Sequence, residues 1–191
     1  MSKKILVISG SPKRNGNTSA LIEWFAKGAR SKGARVEVIH AASLKLKAPG
    51  CTACRVCQGI KKFECVIKDG ASEVIGKMSG ADVIVFATPL YFYSASAQLK
   101  VIIDRMFALF KWDNAVDTFQ TPLKGKTLVL IASAYENIGL KALEKPFALT
   151  ADYTGMKFAS LLVPNAGESG GIRKLGKARE KMVRFGKKVA S

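Results

Sequence analysis

Five short apolar runs set the architecture open to this chain: ILVI at Ile5–Ile8, VEVI at Val36–Ile39, VIVF at Val83–Phe86, LVLI at Leu128–Ile131 and LLV at Leu161–Val163. Four of the five are almost uninterrupted apolar, as strands covered on both faces by helices are. Helical patterns separate them. From about Thr18 to Lys32, Leu21, Trp24, Phe25, Gly28 and Ala29 share one side, and Leu99, Ile102, Ile103, Met106, Phe107 and Phe110 follow the spacing of a buried helical face. Further helices are expected near Ala71–Met78 and Leu140–Tyr153. A basic helix closes the chain, with Ile172, Leu175, Ala178, Met182, Phe185 and Val189 as its apolar stripe. Strand alternating with helix predicts an open parallel sheet wound on both sides, a three-layer α/β domain with right-handed crossovers. Ligands bind such folds beyond the carboxyl ends of the strands, so function is expected in the loops that follow them. With 191 residues and no repeat or dividing linker, residues 1–191 are expected to form one domain, with a cysteine-rich insertion at about 45–70.

No apolar run approaches the roughly 20 residues of a membrane-spanning helix, and MSKKILVISG begins like a strand rather than a signal peptide. A cytoplasmic protein with no membrane partner is therefore expected. The net charge of +17 concentrates anions near the surface without choosing among them. Nucleic acid is disfavoured as a partner, because no binding motif and no interleaving of basic with aromatic residues is present. The cations of the last helix read as its solvated face. His40 is the only histidine, which rules out a His-rich metal site, and a surface role is expected for it rather than a catalytic one.

All four cysteines fall within KAPGCTACRVCQGIKKFECVIKDG, spaced C-x2-C-x2-C-x7-C at Cys51, Cys54, Cys57 and Cys65. A reducing cytoplasm disfavours disulfides and favours metal binding or redox chemistry. Zinc sites commonly pair two separated C-x-x-C knuckles, whereas three cysteines at steps of three followed by a fourth resemble the ligation of a cubane iron–sulfur cluster. Lys45, Lys47, Arg55, Lys61, Lys62 and Lys68 would offset the negative charge of such a cluster. A cluster, a cluster-free thiol set and zinc remain the three readings.

After the first run comes SGSPKRNGNTSALI, a glycine turn rich in hydroxyls and amides that leads into a helix. Such a turn offers N–H donors and the positive end of a helix dipole to a phosphate. Gly10 and Gly16 do not form G-x-G-x-x-G, and Asn17-Thr18 stand where a P-loop has its lysine and hydroxyl. Ser11, Asn17, Thr18 and Ser19, with charge from Lys13 or Arg14, suit a terminal monophosphate; an ordinary helix cap at Asn17 or Thr18 is the alternative. The third run leads into ATPLYFYSASAQLKVIIDR, where Pro89 ends the strand, three aromatics follow, and Ser94 or Ser96 can cap a helix. A planar aromatic ligand suits that loop, as would plain core or interface packing. IASAYENIGL, after the fourth run, is small and polar enough to approach a ligand closely.

Together GSPKRNGNTSALI, TPLYFYSASAQLKVIIDR and the cysteine stretch ending CVIKD resemble the NADPH-dependent FMN reductase group of flavodoxin-like proteins, and the cysteines turn the resemblance toward the iron–sulfur flavoproteins. It implies a five-stranded parallel sheet in the order 2-1-3-4-5 with FMN at its switch point. The FMN phosphate would be held by Ser11, Lys13, Asn17, Thr18 and Ser19. The isoalloxazine would lie against Pro89, Leu90, Tyr91 and Phe92, and against Ser133, Ala134 and Tyr135. Cys51, Cys54, Cys57 and Cys65 would carry a [4Fe-4S] cluster. A homodimer or homotetramer would complete the flavin pocket, with Tyr93 or Trp112 at the interface. Electrons would come from NAD(P)H or from an acidic ferredoxin-like partner. No side chain is required as acid or base, so no catalytic residue is assigned. The alternatives are a cluster-free NAD(P)H-dependent reductase acting on quinones, azo compounds or free flavin, and a basic zinc-containing nucleic-acid-binding or regulatory module.

Overall fold

Side chains alternate across a strand, so each buried strand feeds two cores. The structure, a computed structural model, describes residues 2–113, 115 and 118–191. The chain runs β1 (Lys4–Ser9), α1 (Asn17–Arg30), β2 (Arg35–His40), α2 (Gly70–Gly80), β3 (Val83–Pro89), α3 (Ala97–Arg105), β4 (Lys111–Asp113), β5 (Thr118–Gln120), β6 (Thr127–Ser133), α4 (Leu140–Tyr153), β7 (Lys157–Val163) and α5 (Gly176–Ala190). The main sheet is parallel throughout, in the order β2-β1-β3-β6-β7. Its five strands stand in the relative order that the family resemblance implied. Their numbering differs because β4 and β5 form a separate antiparallel hairpin that the sequence reading did not contain. Two three-residue strands are too short to carry a period-2 signal.

On one face, Leu6, Ile8, Ile84, Phe86, Leu128 and Leu130 pack with α2, α3 and α4. On the other, Ile5, Val7, Val83, Val85, Val129 and Ile131 pack with α1 and α5. Each such side chain contributes about 1.5–3 kcal/mol of burial before chain entropy is charged against it. The outer strands are less covered: Arg35 and Glu37 of β2 are exposed, and most of β7 is half-buried. β7 begins at Lys157 rather than Leu161. Its first half, KFAS, lacks the apolar run because an edge strand needs less of one. The expected helical face through Phe110 is shorter than read, since α3 ends at Arg105 and a 3-10 turn carries Met106–Leu109. Leu175, placed by the sequence reading in the apolar stripe of the last helix, precedes α5 and is exposed. Among the described residues no helix is long and apolar enough to cross a membrane.

Helices α1 and α5 touch backbone to backbone. A Cβ at Gly28 would overlap the Val183 carbonyl, and one at Gly186 would overlap the Phe25 carbonyl. Phe25 and Phe185 then stack tilted beside the crossing, 6.0 Å between centroids. Replacing an exposed mid-helix glycine by alanine would stabilise a helix by about 1 kcal/mol. Here Gly28→Ala and Gly186→Ala are expected to do the reverse and destabilise by about 2 kcal/mol, through forced separation of the helices. Urea denaturation midpoints for the two variants measure the sign.

Candidate functional site

The loops after β1, β3, β6 and β7 meet over the carboxyl ends of the strands, where the winding of the sheet reverses between β1 and β3. Their joint is tight. Gly10 N–H donates to Ala87 O at 2.7 Å, and Ser96 Oγ donates to Gly10 O at 2.6 Å. A Cβ at Gly10 would stand 2.6 Å from Ser96 Oγ and 2.7 Å from Leu99 Cβ, so only glycine lets the head of α3 lie this close to the exit of β1. Ser96 also caps α3, accepting from Leu99 N.

Helix α1 opens into the resulting cleft without a cap. Gly16 is its N-cap residue and no side chain accepts from its first turn. The two residues that could have capped it do other things. Asn17 donates through Nδ2 to the carbonyls of Ala166, Gly167 and Glu168 at 3.1–3.3 Å and accepts from Ile172 N through Oδ1. Thr18 is buried. Helix α2, by contrast, has a complete capping box at Asp69 and Ser72. Free N–H groups and the positive end of a helix dipole thus face the cleft from α1, an arrangement that favours an anion. Ser11 is occupied in a local turn, its Oγ bonded to both the N–H and the carbonyl of Lys13. Ser19 Oγ donates to that same carbonyl.

The wall opposite is built by the β3–α3 loop. Leu90 N donates to Ser133 O, and Tyr91 and Ser94 pair across a tight turn. Its two central residues, Phe92 and Tyr93, have positive φ, 43° and 61°. Aromatic residues adopt that conformation at a cost of order 1 kcal/mol each. Phe92 is fully exposed, and Tyr93 packs on Gly139, where any Cβ would collide with its ring. Tyr91 and Tyr135 are also exposed at the rim. The loops after β6 and β7 are stitched together, Ala134 N to Val163 O and Ala166 N to Ala134 O.

Ser11, Lys13, Asn17, Thr18, Pro89, Leu90, Tyr91, Ser133, Ala134 and Tyr135 all line one cleft of about 180 Å³. Two of the sequence-derived candidates, Ser19 and Phe92, lie outside its lining. Ser19 is turned to the Lys13 carbonyl, and Phe92 is carried out by its left-handed backbone. Asn17 reaches the cleft, but its amide is committed to the β7–α5 loop rather than free for a ligand. Gly16, Gly167 and Ser169 also line it and were not read from the sequence. Only Gly16 carried a signal, as the glycine before a helix start. A larger hollow of about 450 Å³ opens at the amino ends of β1 and β2, away from α1's first turn. His40 is half-buried rather than superficial, its pKa lowered by burial and then by Arg14.

The cysteine segment joins β2 to α2. Cys51, Cys54, Cys57 and Cys65 line a single small cavity of about 20 Å³, together with Arg105 from the end of α3. Cys57 and Cys65 are buried, Cys51 and Cys54 exposed. Among the described residues no three potential ligands converge in a group that could hold a metal ion. The fourfold ligand set read from the spacing is therefore not assembled in this conformation. Each buried sulfur accepts instead from the protein, Cys57 from Gln58 Nε2 at 3.5 Å and Cys65 from Arg105 Nη2 at 3.2 Å. Ala53 and Arg55, which separate the first three cysteines, both have positive φ. Hydrogen bonds from the Val56 backbone, then Thr52, pull the exposed Cys54 thiol below its ordinary pKa. Thiol donors beside a buried cation are chemically suited to an anionic cluster, and the exposed half of the set would have to close on the buried half to hold one.

Arg105 and Asp69 had escaped the sequence reading. Arg105 lies on the buried stripe of α3, three residues after Ile102, and Asp69 begins an Asp-x-x-Ser capping box; those were the available signals. Their ion pair is 2.8 Å long and both side chains are 1% exposed. Burial pushes the Asp69 carboxyl up. The Arg105 guanidinium, with N–H groups of Lys47 and Ser72, more than reverses this and holds it at about 2.

A family model described as NADPH-dependent FMN reductase matches residues 3–168. An iron–sulfur flavoprotein of Archaeoglobus fulgidus is 35% identical over 103 residues, 54% of this chain and 45% of that protein. A putative NAD(P)H-dependent FMN-containing oxidoreductase of Bacillus subtilis is 25% identical over 171 residues, 88% of each. The chain spans about half the length of the iron–sulfur flavoproteins it matches. Among solved structures, the NAD(P)H:quinone oxidoreductase of Methanothermobacter marburgensis superposes with a TM-score of 0.74 at 14% identity, over 100% of this chain and 98% of that one. That likeness shows the flavodoxin-like α/β fold.

A carboxylate held at about 2 stabilises the fold fully above its unfolded pKa of 3.8 and loses that contribution as pH falls through about 2. Asp69→Asn keeps a capping side chain but removes the charge partner of Arg105. The variant is expected to be less stable at neutral pH, by on the order of 2 kcal/mol, with the difference shrinking between about pH 4 and pH 2. Denaturation midpoints measured across that range check it.

Proposed function

This chain belongs to the NADPH-dependent FMN reductase family, and on that premise we propose that it is an FMN-dependent oxidoreductase drawing electrons from NAD(P)H. The observation that carries the reading is the uncapped first turn of α1 facing a cleft at the switch point of the sheet. FMN, when bound, would supply the redox chemistry, and the protein its position and electrostatics. The N–H groups at the start of α1, with Thr18 and the exposed Lys13, would hold the phosphate. Ser11 shapes the turn that presents them, and Asn17 braces the loop after β7 behind it. Pro89, Leu90 and Tyr91 on one side and Ser133, Ala134 and Tyr135 on the other would enclose the ring system.

A cleft of about 180 Å³ is smaller than the roughly 300 Å³ or more usual for a cofactor site, and its rim is aromatic and exposed. A second copy of the chain seated on Tyr91, Phe92 and Tyr93 would wall it, which favours a homodimer or homotetramer. The exposed cations of α5 and the net charge of +17 favour an acidic redox partner, whose association would slow as salt rises.

The finer reading is an iron–sulfur cluster on Cys51, Cys54, Cys57 and Cys65. Its support is that one cavity gathers all four thiols against a buried guanidinium, and that matched relatives are named iron–sulfur flavoproteins. The competing reading is a cluster-free NAD(P)H-dependent reductase of quinones or azo compounds. Protein purified without oxygen separates them: flavin absorption above a broad brown shoulder, with iron and sulfide near four per chain, supports the cluster. Flavin alone supports the second reading. A colourless protein containing zinc would overturn the flavin reading itself.

The phosphate seat predicts a ligand preference. FMN is expected to bind at least 100-fold more tightly than riboflavin, and Ser11→Asp, which places a carboxylate at the positive end of α1, is expected to remove most of that advantage. Fluorescence titration of the apoprotein with each flavin measures both. Equal affinity for the two flavins in the wild type would sink the assignment.

A further inference from the structure

The buried cation in the thiol cavity has donors aimed at three separate parts of one segment. Arg105 Nη2 donates to Cys65 Sγ at 3.2 Å and to Ile67 O at 2.8 Å, and Nη1 donates to Asp69 Oδ2 at 2.8 Å. Asp69 in turn accepts from Lys47 N, Ala71 N and Ser72 N. One guanidinium and one carboxylate therefore tie the start of the cysteine segment, at Lys47, to its end at Cys65, Ile67 and Asp69. Both are fastened to the last residue of α3. The other end of α3 is Ser96, bonded to Gly10 at the flavin cleft. A nine-residue helix is about 13 Å long, so one rigid element spans from cleft to thiol cavity.

Two features separate Arg105 from an ordinary structural ion pair. It is the largest fully buried side chain described, yet its Nε has no partner among the described residues. A guanidinium whose only task was to satisfy Asp69 would have no need to spend a donor on sulfur, a weak acceptor. The exposed lysines of the segment lie outside the lining of the cavity, and Arg55, the other cation that lines it, is exposed rather than buried. Burial opposes its charge, while Asp69 and then Cys65 favour it, and the balance raises the pKa of Arg105.

We propose that Arg105 is the positioning residue of the cysteine segment. Its fork holds Cys65 inside the thiol cavity as a preset sulfur, onto which the exposed Cys51 and Cys54 close when the cavity takes up a thiophilic metal. This deepens the cluster reading above and rests on it only for the identity of the metal. The planar fork is the functional element, so charge alone does not replace it.

The test uses the whole chain, reduced and without oxygen, as wild type, Arg105→Lys, Arg105→Gln, the paired variant Asp69→Asn with Arg105→Gln, and Cys65→Ser. Iodoacetamide labelling resolved by peptide mass spectrometry gives the rate at each cysteine. Wild type is expected to label Cys51 and Cys54 fast and Cys57 and Cys65 slowly. Arg105→Gln is expected to raise the Cys65 rate at least tenfold while Cys57 changes less than twofold; Arg105→Lys is expected to recover only part of the protection. The paired variant leaves no buried charge unmatched, so it keeps the comparison available if Arg105→Gln unfolds, and it is expected to show the same selective exposure of Cys65. Titration with Co2+ alone, read by sulfur-to-cobalt charge-transfer absorption, is expected to weaken at least tenfold in the Arg105 variants, toward the level of Cys65→Ser. Unchanged Cys65 labelling in the paired variant, or equal acceleration at Cys57 and Cys65, overturns the proposal. A wild type that binds neither Co2+ nor iron overturns the cluster reading and, with it, the role of Arg105 in metal uptake; the labelling contrast still decides whether Arg105 holds Cys65.

Discussion

Arg105 brings a full charge into the apolar layer between the sheet and α2, α3 and α4, and much of the surrounding chain is arranged to keep it there. An unpaired guanidinium at 1% exposure would cost several kcal/mol. Asp69 offsets it, and the backbone N–H groups that Asp69 accepts spread the compensation into α2 and the segment around Lys47. A buried pair of this kind adds little net stability over an apolar replacement. Its contribution is geometric: it fixes where an otherwise irregular stretch of about twenty-five residues lies. That stretch has few regular hydrogen bonds of its own; its ends are held from α3, and Cys57 and Gln58 in its middle are held by Phe110, Lys111 and Trp112.

The opposite end of α3 is constrained by steric contact rather than charge. Gly10 admits Ser96 and Leu99 into van der Waals range of β1, and the loops after β1 and β3 are locked in relative position by two hydrogen bonds. The cleft inherits this rigidity on one side. On the other it shows departures from local preference: an uncapped helix, two aromatic residues with left-handed backbone, and a fully exposed phenylalanine. Local rules broken together, next to a well-packed scaffold, single this cleft out as the candidate site.

How far the sequence could be read follows from the range of each signal. The three central strands of the main sheet were legible because burial on both faces makes them short apolar blocks, and α1 and α3 because one face of each is apolar at helical spacing. The cleft was legible as a set of loops, since the switch-point rule names the loops once strand order is known. Individual roles were less so. Asn17 looked like a phosphate ligand or a cap, but its amide meets carbonyls 149 to 151 residues away. The β4–β5 hairpin was missed because its strands are too short to show alternation, and Arg105 because a cation on an apolar stripe is usually read as the edge of that stripe.

By itself the sequence determined the parallel three-layer fold and the clustering of every thiol in one segment, because these rest on local composition and periodicity, and its motifs carried the resemblance to the family. Only the tertiary structure decided which groups meet. It committed Asn17 to bracing, left the start of α1 open, placed a guanidinium from the far end of α3 against Cys65, and kept the four sulfurs in one cavity without convergence on a metal. The physical reason is the same in each case. A hydrogen bond or ion pair between residues tens to hundreds of positions apart leaves no period in the sequence, and its strength depends on a burial that exists only after the layers have packed.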